Sequence, residues 1–178
     1  MSLIIRKTTE ADLDSILRVQ SEAFGYVKEA ELTQSLLNDP SAEPRVSLMA
    51  YQDDQAVGHI LFTACHIADT DLQLSLLAPL AVIPEAQRMG IGGKLIEAGL
   101  SHLSQAGVDL AFVLGHPEYY PKHGFIPAHT FGLQAPYPIP EQFADAWMVQ
   151  ALNSTKLGSI QGTVICADAL NKPEHWRE

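Results

Sequence analysis

Cysteine, positive charge and long apolar runs are all scarce in this chain. The two cysteines, Cys65 and Cys166, stand far apart, with no C-x-x-C spacing and no adjoining histidine pattern, so a zinc site and a disulfide framework have no support. Both read as reduced thiols packed as small apolar residues. Eleven Lys and Arg face 21 Asp and Glu, a formal net charge of -10 that repels nucleic acid and anionic lipid alike. No apolar segment approaches the length of a membrane span, and the short stretch ahead of Arg6 is no signal-peptide core, so a cytoplasmic location is expected. Repeats, low-complexity tracts and linkers are absent too. What is present is 47% hydrophobic residues in 178, enough to bury a real core, and residues 1–178 read as a single domain.

Hydrophobic periodicity supplies the elements. Leu3 to Arg6 reads as a strand leading into a helix, because Thr9 with Asp12 three residues on forms a capping-box pattern ahead of Leu13, Ile16, Leu17, Ala23 and Phe24. A second helix runs from Glu29 to Leu37 and stops at Asn38-Asp39-Pro40. Val46 to Tyr51 and Gly58 to His66 read as strands joined through Gln52-Asp53-Asp54-Gln55, a hairpin by length and composition. Leu74 to Ile83 is nearly all apolar, as for a strand covered on both faces. Pro79 interrupts it, and a residue with no amide to donate predicts a bulge, or a place where the strand leaves its neighbour. From Gly90 a helix is expected, with Ile91, Leu95, Ile96, Gly99, Leu103 and Ala106 on one face, ending at Gly107. Asp109 to Leu114 reads as a buried strand, so residues 74–114 form a β-α-β crossover and therefore a parallel pair. Beyond it lie a proline-punctuated loop at 135–140 and one more strand within 158–167.

The stretch "QRMGIGGKL" tests two phosphate-binding templates. Arg88 stands where a Walker loop needs its first glycine, and Leu95 where it needs a hydroxyl. The dinucleotide pattern matches at Gly90 and Gly92 but meets Leu95 at its third glycine. Both fail, yet the physics they share remains. Glycines at a helix start let unpaired amides approach an anion, and the helix dipole favours it. The alternative is that Gly90, Gly92 and Gly93 only let the helix pack closely on the sheet.

Gln87-x-x-Gly90-x-Gly92 after "LAVIPEA" resembles the Q/R-x-x-G-x-G/A signature of the GCN5-related N-acetyltransferases, the GNAT superfamily. "PEYYPKHGF" at 117–125 is similar to that family's second marker, and the similarity covers residues 3 to 128, in a small bacterial branch of largely unassigned substrate. The resemblance implies a mixed α/β fold: a mostly antiparallel sheet with one parallel crossover at a bulged strand and helices on both faces. It implies acetyl-CoA as cosubstrate, no metal and no covalent intermediate, with acetyl passing directly to a primary amine of a small molecule or peptide. Amides of Arg88, Met89, Gly90, Ile91, Gly92 and Gly93, next to Gln87, would wrap the CoA pyrophosphate. Main-chain groups of Leu80 and Val82 would pair with the pantetheine arm, and the amide of Val82 or Ala81 would polarise the thioester carbonyl. Tyr120 matches the tyrosine that protonates the departing thiolate, and Tyr119 beside it is expected to serve packing. Two family features are missing: a carboxylate on the bulged strand, and the asparagine before the tyrosine marker. His66, Glu22, His116 and Glu118 are therefore the base candidates, and none stands out. A non-catalytic acyl-CoA sensor is the rival reading, and a homodimer stays open.

Overall fold

The computed structural model describes residues 2–177. β1 (Leu3–Lys7) leads through a short turn into α1 (Leu13–Phe24). The Thr9 amide donates to Asp12 Oδ2 at 2.7 Å, closing the expected capping box. Asp12 also receives both terminal guanidinium nitrogens of Arg6 and the Tyr51 hydroxyl, and Arg6 foremost holds its carboxyl well below the usual range. Gly25, at φ 76°, ends α1 in the left-handed region open to glycine, and α2 (Lys28–Leu37) follows. β2 (Val46–Gln52) and β3 (Gln55–Ile67) form the hairpin, with Asp53 and Asp54 both at positive φ, as a two-residue reversal demands.

β4 (Leu74–Val82), α3 (Ile91–Gln105) and β5 (Leu110–Leu114) make the crossover. Then come β6 (Ile126–Pro127), β7 (Leu133–Gln134), β8 (Trp147–Ala151) and β9 (Gly162–Ile165). The sheet runs β1-β2-β3-β4-β5-β8-β6, with β9 pairing with both β3 and β7. In the main path every pair is antiparallel except β4 with β5. The mixed α/β expectation and its parallel β-α-β crossover therefore hold, and off the main path β7 and β9 form a second, short parallel pair.

Helices cover both faces. On one, a Cβ at Gly99 of α3 would lie 2.2 Å from Phe62 Cε2, so the helix seats on the sheet only because that position has no side chain. On the other, α1 is pinned by a buried polar chain. Gln20 Nε2 donates to His59 Nδ1 at 2.9 Å, leaving the imidazole proton on Nε2 to reach Ser47 Oγ at 2.8 Å. Burial pushes the His59 imidazole down to about 3, so it stays neutral in the folded state. A second cluster gathers Leu61, Phe112 and Trp147, where Trp147 stacks on Phe112 at 5.1 Å and takes the edge of Trp176 at 5.5 Å. Cys65 and Cys166 are free and buried, as expected of packed thiols.

Two local expectations need correction. Ala106 does not share the buried face of α3: it caps the helix and is exposed, because the chain is already leaving the helix there. β8, filling the flank of β5, was not foreseen. Its residues Trp147-Met148-Val149-Gln150-Ala151 do not alternate, and its strand state comes from pairing with β5 and β6.

Candidate active site

The bulge at Pro79 opens the sheet. β4 pairs with β5 only from Leu74 to Leu77, opposite Leu110 to Val113. Against β3 the register shifts between Ile60 and Phe62, opposite Leu80 and Leu77, so the two residues Ala78 and Pro79 lie across from Leu61 alone. Past this point β4 stays on β3 and leaves β5. The Ile83 amide bonds to Val57 O at 2.9 Å, which fixes the alternation: Ile83 and Ala81 direct their amides to β3, and Leu80 and Val82 direct theirs into the opening. Ala81 is thereby removed from the two alternatives for a free amide at the strand end, and Val82 remains. Its carbonyl accepts from Gln87 Nε2 at 3.0 Å, so the Gln87 side chain ties the following loop to the strand end.

At the mouth of the opening stands the glycine turn. Arg88 and Gly90 both take positive φ, 65° and 80°, which turns the chain sharply into α3. After the Gln87 amide, bonded to Pro84 O, the next backbone amide with a backbone acceptor is Lys94, bonded to Gly90 O at 3.1 Å. The six amides of residues 88–93 lie between them without a backbone partner among the described residues. Arg88, Met89 and Gly90 are exposed, whereas the Ile91 side chain is in the core and offers only its amide. Gly92 serves a second purpose: a Cβ there would come 2.7 Å from the Tyr119 hydroxyl, which overhangs the helix start. Tyr119 thus packs, as expected, but on the glycine turn itself. Lys94 points to solvent.

Behind the opening lies a cavity of about 430 Å³. Its floor is β4 from Leu76 to Leu80, one wall is residues 113–116 with Tyr120, and its roof combines the α1–α2 elbow with the turn at residues 173–177. Tyr120 is 8% exposed, its ring edge-on to Phe125 at 5.8 Å and to Tyr119 at 5.2 Å. Its hydroxyl has no hydrogen-bond partner among the described residues, and burial foremost raises its pKa, so the phenol keeps its proton. Gly115 makes this possible, since a Cβ there would lie 2.3 Å from Tyr120 Cε2.

Of the base candidates, only His116 lines this cavity. His66 borders a separate cavity with Cys65 and His102, Glu22 is paired with Arg18, and Glu118 is exposed outside the cavity lining. Sequence reasoning missed Glu29 and His175, which do line it, because nothing local brings α2 and the turn at 173–176 together. Burial foremost lowers the His175 pKa, keeping the ring neutral at physiological pH. No cluster of three His, Cys, Asp or Glu side chains among the described residues is placed to hold a metal ion.

Known proteins resemble this chain in sequence and in fold. Residues 4–128 match the family model described as an acetyltransferase (GNAT) domain. The uncharacterized Escherichia coli N-acetyltransferase YjhQ is 49% identical over 164 residues, covering 90% of each chain. The Escherichia coli GNAT family N-acetyltransferase YhbS, solved in complex with CoA, superposes with a TM-score of 0.87 at 27% identity, over 96% of this chain and 92% of that one. A Brucella melitensis GNAT family acetyltransferase solved with acetyl-CoA gives 0.75 at 29% identity, over 95% and 98%. By the family model and by its identity to YjhQ, this chain belongs to the GNAT acetyltransferase family.

Proposed function

We propose that this protein, as one cytoplasmic acetyltransferase domain, moves acetyl from acetyl-CoA directly onto a primary amine. The observation that carries the reading is the continuous path from the unpaired amides at the α3 start, along the opened edge of β4, to the cavity beside Tyr120. A pyrophosphate suits the first, where six amides and a helix dipole converge and Gly90, Gly92 and Gly93 carry no side chain of their own. An extended pantetheine arm suits the second, pairing with Leu80 and Val82 as an added strand would. The thioester then lies at the cavity, its carbonyl on the Val82 amide, whose partial charge favours the oxyanion.

Transfer needs an unprotonated amine, a polarised carbonyl and a proton for the thiolate. Tyr120 fits the last task, because a buried phenol with no competing bond holds its proton until the sulfur takes charge. Differential scanning fluorimetry tests the binding half. Acetyl-CoA and CoA should both raise the melting temperature, by mass action on the folded state, and acetate should not. A panel of primary amines, followed by release of CoA thiol, tests the transfer. Silence across the panel with CoA binding retained would replace this reading with that of an acyl-CoA sensor.

A further inference from the structure

The roof of the cavity carries an unexplained charge. Glu29 of α2 lines it; among the described residues Oε1 is approached only by the Tyr26 hydroxyl, at 3.4 Å, and Oε2 is sealed from solvent with no hydrogen-bond partner. A carboxylate oxygen withdrawn from water without a donor is costly, so the site is short of one hydrogen-bond donor, best a cationic one. The cations that share the lining do not supply it: Lys28 and Arg177 are exposed and make no salt bridge to Glu29 among the described residues. Glu174 is exposed as well, which leaves Glu29 as the innermost charge, and the other inward titratable group of the roof, His175, is neutral. Pro79, Leu80 and Tyr120 line the same cavity as Glu29, together with the apolar side chains of Phe24, Leu32 and Leu76.

We propose that Glu29 receives the amine of the acceptor: it binds the ammonium and removes its proton, and the acceptor is a small cationic primary amine with an apolar body. The inference rests on the acetyltransferase reading and deepens it. Size supports the small acceptor, because the cavity of about 430 Å³ must also admit the acetyl end of the donor. The C-terminal turn closes it, held by Trp176, whose indole N–H donates to Leu170 O at 2.9 Å. The ammonium loses its first proton to the Glu29 carboxylate, which later passes it to solvent. The freed lone pair forms the C–N bond, and the C–S electron pair leaves on sulfur. Tyr120 gives its proton to that sulfur and is refilled by the second proton from nitrogen, so amide, CoA thiol and one released proton balance the reaction.

The test uses Glu29→Gln, which keeps shape and removes charge, with the best amine of the panel and its β,β-difluorinated analogue, both assayed in mildly alkaline buffer, where the analogue's nitrogen is largely unprotonated. With the ordinary amine, kcat/KM should fall at least ~10-fold, since proton-transfer groups contribute about 10²- to 10⁴-fold. With the fluorinated analogue, which needs no base to free its lone pair, the deficit should shrink toward none. CoA affinity and melting temperature should match wild type, and Glu29→Asp should retain more activity than Glu29→Gln. An equal deficit with both amines, no deficit with either, or lost CoA binding overturns the proposal while leaving the acetyltransferase reading in place. A wild-type protein that binds CoA and acetylates nothing overturns both.

Discussion

Tyr120→Phe removes one hydroxyl and nothing else. The ring is 8% exposed, and its contacts with Phe125, Tyr119 and the bare backbone of Gly115 involve carbon atoms that the substitution keeps. The hydroxyl is bonded to no described protein group, so its loss orphans no buried partner, and stability should change by no more than about 0.5 kcal/mol. In the proposed role its removal acts only where the C–S bond breaks. General-acid contributions of about 10²- to 10⁴-fold correspond to ~2.7–5.5 kcal/mol of barrier, and a loss of at least ~10-fold is expected even where water substitutes. Because the interaction exists only in the transition state, kcat and kcat/KM for acetyl-CoA should fall together. Initial rates under conditions limited by chemistry, with CoA affinity measured separately, provide the assay. Gly115→Ala gives an independent check, since its Cβ would displace the same ring, and it should lower kcat while keeping the phenol. Wild-type kcat in Tyr120→Phe, or a larger drop in Tyr119→Phe, would refute the assignment.

Two further outcomes separate packing from function elsewhere. Gly92→Val pushes first against the hydroxyl end of the Tyr119 side chain rather than against backbone, so its melting temperature should change little while acetyl-CoA affinity falls, as isothermal titration would show. Gly99→Ala meets the Phe62 ring in the core and should destabilise by about 1–3 kcal/mol in urea titrations with CoA affinity unchanged; intact affinity in Gly92→Val would make the glycine turn a packing device. The His59 imidazole titrates at about 3 in the folded protein, against about 6.5 when unfolded. Between those values the unfolded chain binds a proton that the folded one refuses, so stability is full above pH 6.5 and declines as pH falls toward 3. From pH 6.5 to 5 this group alone should remove about 2 kcal/mol, and His59→Gln should flatten that part of the profile; an unchanged slope would mean that His59 protonates in place.

The crossover and the glycine turn were legible in the sequence because each is set by nearby residues. Pro79 cannot donate to a ladder, so the bulge and the parting of β4 from β5 follow from one letter. Gly90, Gly92 and Gly93 mark a helix start with uncovered amides, and the tyrosine marker falls directly after β5. The choice between Ala81 and Val82 needed the register with β3, since alternation along a strand has no direction until a neighbour sets it. Strand β8 was invisible for a related reason: Trp147 to Ala151 carry no periodicity of their own and become a strand by filling the flank of β5. The acceptor side was beyond the sequence altogether. Glu29 and His175 lie at opposite ends of the chain, and only the docking of Trp176 into the core beside Trp147 brings the terminal turn over α2. The proposed donor site rests on backbone geometry that short motifs encode; the proposed acceptor site rests on side chains that only tertiary packing assembles.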